Sequence, residues 1–436
     1  MRIPDDRTGA GAAPEDGAPR SASLPTLGHL LVLGAFVVSR VVFLGFHLHH
    51  GPNLKEYRGW LQAAHAGRVP FVDFPIEYPP IAWWVMRSPG TTQAAAYDFR
   101  FRLIMGAADI GSFALLWWIV SRRRRRATLL VAAIYVACTI ALEYVLYDSL
   151  DMLMLLAVLG GAAAWLRSET SAFPDSWRAV AYLSLAAGAA YKVIPIFALP
   201  FLVIGDLRTT ADRRRVGWRA ALALAGLAAP FAAAARTAGP GVLGFVRYHI
   251  ARGLEIESTW ATLVWITSRD PALHVASRFG SWELAGGLSA AFVALNWAAA
   301  LGVLGALTWW ALALKDRLDA GRNYLQILLA LPAMLVVSKV FSTQYMLWAV
   351  PLLMLTAVEV APDRRGLAAV GAASVAMAAL SAVFYPFGIQ YVAALSPWVM
   401  TVIALRNAIF LATVVWLVRL AVTRDRAIQA ASGAPF

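Results

Sequence analysis

Only one cysteine, Cys138, occurs among the 436 residues, and it lies inside an apolar run. An intramolecular disulfide is therefore excluded, and a catalytic thiol in so apolar a setting is disfavoured. Charge is scarce as well: Asp, Glu, Lys and Arg make up 14% of the chain, too little to clothe a water-exposed surface of this size. No self-similar period of about 20 to 50 residues recurs, which argues against a solenoid or propeller. Nor does a small-residue cleavage site follow the first apolar segment. That segment, beginning near Leu27 behind a Pro-, Gly-, Ala- and Asp-rich stretch, is expected to remain as a helix, with residues 1–26 a disordered cytoplasmic tail.

What is abundant is hydrophobicity. Apolar residues make up 60% of the chain and mean hydropathy is +0.63. Apolar runs recur along the whole length. Hydrocarbon offers nothing to unpaired backbone groups, so runs of roughly 17 to 25 apolar residues must be helices. The expected class is an all-α polytopic membrane protein.

A formal net charge of +13 raises the question of nucleic acid, and placement answers it. Nineteen basic residues, including Arg122 to Arg126, Arg208, Arg213 to Arg215, Lys315 and Arg317, fall in short connections or at the C-terminal end. The long connections near 48–100 and 237–283 hold nine basic residues against eight acidic ones. Basic loops stay cytoplasmic, so the charge reports topology and no nucleic-acid partner is expected. Threading under that rule gives about 12 helices, near 27–47, 101–120, 127–147, 150–166, 179–191, 194–204, 219–236, 284–314, 323–340, 346–360, 367–387 and 399–421. Residues 27–422 form the membrane domain and 423–436 a second cytoplasmic tail. Both ends are then cytoplasmic, the two long loops face outward, and the plasma membrane is the expected location. The fifth and sixth helices are too short to span alone. They meet at "AAYKVIPIF", where a broken or re-entrant pair would reach a polar site.

An ionisable group near hydrocarbon costs roughly 2.5 to 3.5 kcal/mol, so one that persists there should have a partner or a task. Asp148, Asp151, Lys192, Arg247, His249, Arg252 and Lys339 converge at the outward level from separate connections. Each alone reads as readily as an interfacial anchor. Together they suit a donor whose leaving group is a lipid phosphate: cations would neutralise the developing charge, and a carboxylate would take the proton of an incoming hydroxyl. Tyr57, Trp60, Trp83, Trp84 and Trp260 could stack on a sugar ring or simply form the aromatic belt.

The stretch "NLKEYRGWLQAAHAGRVPFVDFPIEYPP" resembles the first outer loop of glycosyltransferase family 87, the polyprenyl-phosphate-mannose-dependent α-1,2-mannosyltransferases of actinobacteria. "YKVIPIFALPFL", "YHIARGLEIESTWATL" and "KVFSTQYMLWAVPLL" resemble its later motifs in the same order. The resemblance implies a C-type glycosyltransferase fold with outward-facing active-site loops. It also implies an inverting transfer that uses no metal or other cofactor, and an acidic base in the first loop. The implied partners are a polyprenyl-phosphate-sugar donor and a glycolipid or cell-envelope glycan acceptor among membrane lipids. Tyr57, Tyr78, Lys192, His249, Arg252, Glu257, Lys339, Gln344 and Tyr345 become candidate substrate-binding residues.

The chain departs from that pattern at Asn53, where the family commonly carries an aspartate four residues before the tyrosine matching Tyr57. An amide is no general base at neutral pH. Glu56, Asp73 and Glu77 are the substitutes at hand, with Asp73 favoured as base and Glu77 as organiser. Alternatively Glu77 pairs with Arg58 while Pro79 and Pro80 turn the chain back toward the membrane. Two other functions stay open: a relative that binds the lipid-linked sugar without transferring it, and a transporter or flippase, which would also have broken helices.

Overall fold

The computed structural model describes residues 26–45, 52–278, 280–313 and 320–432. The tail expected over 1–26 lies outside them apart from Thr26, as do Lys315 and Arg317. Helices α1 (Leu27–Gly45), α2 (Pro52–His65), α3 (Pro80–Arg87), α4 (Ala94–Arg123), α5 (Thr128–Ala141) and α6 (Glu143–Leu146) come first. They are followed by α7 (Asp151–Ser168), α8 (Pro174–Tyr191), α9 (Leu199–Thr209), α10 (Arg213–Ala238), α11 (Gly244–Ala251) and α12 (Thr259–Thr267). The last five are α13 (Ser289–Ala313), α14 (Ala320–Val336), α15 (Met346–Val360), α16 (Arg364–Ala382) and α17 (Pro397–Ser432).

Each expected apolar segment contains helix, although 284–314 becomes helical only at Ser289 and 127–147 is divided between α5 and α6. Eight helical stretches among the described residues are long and apolar enough to cross a bilayer. The protein is a polytopic helical membrane protein. Large apolar side chains such as Leu301, Trp309 and Leu224 point outward, as they must where the surroundings are hydrocarbon.

Local chemistry sets the helix ends. Asp212 and Asp363 accept backbone N–H bonds from Arg214 and Gly366 at the starts of α10 and α16, and Ser258 accepts from Ala261 at the start of α12. Proline, which lacks the N–H that a first turn cannot use, opens α3 and α8. The α8–α9 pair breaks where expected: Lys192 is extended, and a short 3₁₀ turn over Ile194–Ala198 bridges to α9. However, α8 begins at Pro174, so its 18 residues are a longer helix than the apolar run alone suggested. Helix α17 continues to Ser432, so residues 423–432, expected in a tail, extend it.

The second long connection is not purely helical. Strands β1 (Leu254–Glu255), β2 (His274–Arg278) and β3 (Ser281–Ala285) form an antiparallel sheet in the order β1-β3-β2. Beyond β3 the chain turns at Gly286, which has φ +86° and where a Cβ would collide with the Ala272 carbonyl oxygen.

Ion pairs bind the bundle internally. Arg40 on α1 donates to Asp109 on α4 at 2.7 Å, and the Tyr135 and Tyr147 hydroxyls complete that carboxylate at 2.6 and 2.7 Å. Such a pair persists in an apolar interior because each partner is satisfied. At the end of the bundle bearing the arginine-rich connections, Arg178 and Arg219 grip Asp206, and Arg123 grips Glu359 at 2.7 Å. The opposite end holds the cavity described next.

Candidate functional site

A cavity of about 770 Å³ lies where the long connections fold over the bundle. Four expected segments meet there: the acidic first loop, the α8 break, the end of α11 with the chain after it, and the turn between α14 and α15. Of the candidates named from sequence, Asn53, Glu77, Tyr78, Lys192 and His249 line it, as do Arg252, Glu257, Lys339, Gln344 and Tyr345.

Asp73, favoured from the sequence as the base, stands apart from these residues. It is exposed and does not line the cavity. Its carboxylate accepts the Val69 N–H at 2.6 Å within its own turn, and its carbonyl accepts from Arg68. The acid serves the turn that carries Glu77 inward. Glu77 is half-buried and does not take the Arg58 pairing, since Arg58 binds Asp98 at 3.2 Å instead. The Glu77 carboxylate is in hydrogen-bonding contact with the Tyr78 and Tyr248 hydroxyls, and His249 Nε2 donates to its carbonyl at 3.1 Å.

Tyr57 and Glu56 also stand outside the cavity wall. Tyr57 is buried behind Tyr78, ring edge to face at 6.3 Å, and contacts its hydroxyl. Glu56 is an exposed residue whose carboxyl reaches the turn at Gly280, a lining residue. Partial burial there, and then the negative charge of Glu77, push the Glu56 carboxyl up to about 7.

The cations are placed unequally. Lys192 is paired with Asp151, the first residue of α7, at 2.6 Å and lies 4.8 Å from the Tyr345 ring centre. Lys339 donates to backbone carbonyls and sits 5.4 Å from the Trp297 ring. Burial, reinforced by Arg252, lowers its pKa. Arg252 is 7% exposed, its nearest carboxylate contact is Glu255 at 3.7 Å, and among the described residues its Nε finds no acceptor. A buried guanidinium donor with no acceptor is costly, and in a residue that lines a cavity an anionic ligand could complete it.

The rest of the wall combines Asp148 and Glu257, both singled out from the sequence, with Glu255, which was not; nor was the distant Arg406 that holds Glu257. Glu255 accepts from Ser342, and Asp148 lines the floor. Glu257 is held by Arg406 of α17 at 2.5 Å and by Thr343 at 2.8 Å. An arginine in an otherwise apolar helix was the available signal for Arg406, since such a group needs a partner. The tryptophans in the wall are Trp282, Trp297 and Trp348. Of the aromatics proposed for stacking, Trp83 packs on Phe74 and Trp260 donates to the Val337 carbonyl at 2.8 Å, so these serve structure.

The cavity thus joins one carboxylate on a tyrosine-braced turn, a buried guanidinium whose Nε has no acceptor among the described residues, two further ammonium groups and several flat aromatic faces. That set can bind a phosphate-bearing molecule and accept a proton beside it. No protein-family model matches the chain, and no curated protein matches it.

Proposed function

We propose that the protein is a membrane glycosyltransferase that moves a sugar, mannose by the resemblance to glycosyltransferase family 87, from a polyprenyl-phosphate carrier to a hydroxyl of a glycolipid or cell-envelope glycan. The observation that carries this reading is the coexistence in one cavity of Arg252, with its unmatched buried donor, and Glu77. In the proposed step the acceptor oxygen attacks the anomeric carbon from the face opposite the phosphate. The bond from that carbon to the phosphate oxygen breaks, and configuration inverts. The phosphate keeps the electron pair, stabilised by Arg252 and Lys192. Glu77 takes the hydroxyl proton. Asp73, bound into its own turn, is replaced as base in this reading. Trp282, Trp348 and Tyr345 offer faces for the sugars.

The same reading places about 12 crossings in the plasma membrane, the cavity on the outer face and both ends in the cytoplasm. What supports it is the arginine-rich connections at one end of the bundle and the cavity at the other.

One observation favours a second reading. Asn53 lines the cavity where the family pattern has an acid, so a relative that binds the carrier without transferring the sugar is the alternative. Reconstitution with radiolabelled polyprenyl-phosphate-mannose separates the outcomes. Label appearing on an acceptor with inverted configuration supports transfer, and saturable binding without transfer supports the second reading. Label crossing the bilayer unchanged would make the protein a flippase.

A further inference from the structure

We infer that Lys339 and Glu283 are positioning residues that aim Arg252 by gripping, from opposite sides, the single peptide unit between Arg252 and Gly253. Lys339 Nζ donates to the Arg252 carbonyl and, at 3.1 Å, to the Ile250 carbonyl. Across the same peptide bond, the Gly253 N–H donates to Glu283 Oε1 at 3.0 Å. A peptide unit is planar, so fixing its oxygen and its N–H fixes the plane from which the Arg252 side chain departs. The charges suit the dipole, with the ammonium on the carbonyl and the carboxylate on the amide.

The grip draws on three distant parts of the chain. Glu283 lies on β3, opposite Glu255 of β1, and the Lys339 carbonyl accepts the Glu255 N–H at 2.9 Å. The Ile256 N–H is anchored on the Trp282 carbonyl at 2.8 Å. An added Cβ at residue 253 would lie 2.9 Å from Glu283 Oε2, so a side chain there would push the gripping carboxylate out of place. Lys339 therefore spends its ammonium on two carbonyls and the Trp297 face, whereas Arg252 Nε is left without an acceptor. The sequence made Lys339 a candidate ligand for the donor phosphate. The geometry makes it a residue that acts through Arg252.

This inference rests on the reading that the cavity takes a phosphate-linked carrier. Its test therefore has one arm with a ligand and one without. Farnesyl phosphate, titrated into the full-length protein in nanodiscs, should bind about tenfold more weakly to Lys339→Met and to Glu283→Ala. On an Arg252→Met background neither change should weaken binding further, because the residues they support is gone. Glu283→Gln, whose amide oxygen still accepts from Gly253, should bind nearly as wild type, and Gly253→Ala should resemble Glu283→Ala. Losses that add to that of Arg252→Met would make Lys339 a direct ligand and overturn the inference. Without ligand, phenylglyoxal should modify Arg252 faster in Lys339→Met and Glu283→Ala, as followed by mass spectrometry. Unchanged modification rates would equally overturn the grip. Failure of the wild type to bind farnesyl phosphate, with modification rates that do change, would instead remove the phosphate reading and leave the grip standing.

Discussion

Lys192 Nζ lies 2.6 Å from Asp151 Oδ1, joining the break after α8 to the first turn of α7. Asp151 is fully buried, and the same oxygen accepts from Trp348 Nε1 at 3.0 Å. Removing one member of a buried pair strands the other charge, at about 3 to 5 kcal/mol. Lys192→Met should therefore destabilise the protein strongly. Lys192→Met combined with Asp151→Asn should recover much of the loss, read as thermal unfolding in detergent. A single variant as stable as wild type would show that the pair does not hold the break.

The base assignment makes a separable demand. General-base help contributes roughly 10²- to 10⁴-fold in rate, so Glu77→Gln should lose about that factor in transfer while still binding the carrier. Asp73→Asn should keep most of its activity, since its amide oxygen still accepts from Val69, whereas Asp73→Ala should keep activity with lower stability from the loss of that bond. Full activity in Glu77→Gln would remove Glu77 from the chemistry. Asn53→Asp adds a carboxylate to the cavity wall, and a large gain in rate from it would favour the reading in which the native site binds without transferring.

Glu56 gives the pH dependence. Its carboxyl, ordinarily near 4.5, is pushed up to about 7 in the folded chain by burial and by Glu77. The folded state thus holds a proton that the unfolded state has already released. Stability should fall as pH rises from about 4.5 through about 7, as that proton is lost. Glu56→Gln should flatten this part of the profile, measured as melting temperature between pH 4.5 and 8. Parallel profiles for wild type and variant would contradict the assignment.

Topology is tested by labelling. With Cys138, which is buried, replaced by alanine, a cysteine at the exposed Gln93 or Thr267 should react with a membrane-impermeant reagent in intact cells. One at Ser121 or Thr209 should react only after permeabilisation. Labelling of Ser121→Cys from outside would invert the proposed orientation and with it the location of the cavity.

Much of this was legible in the sequence because a bilayer allows the backbone few choices. Apolar length located the helices from Leu27 onward, and the cost of buried charge picked out Lys192, Arg252 and Lys339, all of which reach one cavity. Other features were set by partners far along the chain. Asp73 and Glu77 sit four residues apart in one acidic segment, and only the turn closed by Val69 directs one outward and the other inward. Arg406 meets Glu257 across 149 residues. Strands β2 and β3 lie in a polar connection whose alternation is too short to stand out beside so many apolar helices.

The small sheet also offers a way to watch the site at work. Strand β2 lies at the sheet's edge, and its exposed Ser277 stands directly across from Trp282, which lines the cavity. Facing residues on paired strands share one side of the sheet. An environment-sensitive dye on Ser277→Cys, in the Cys138→Ala background, would neighbour Trp282 without touching the groups that hold Arg252. Ligand entry would then become an optical signal, and occupancy could be timed in single liposomes apart from any turnover.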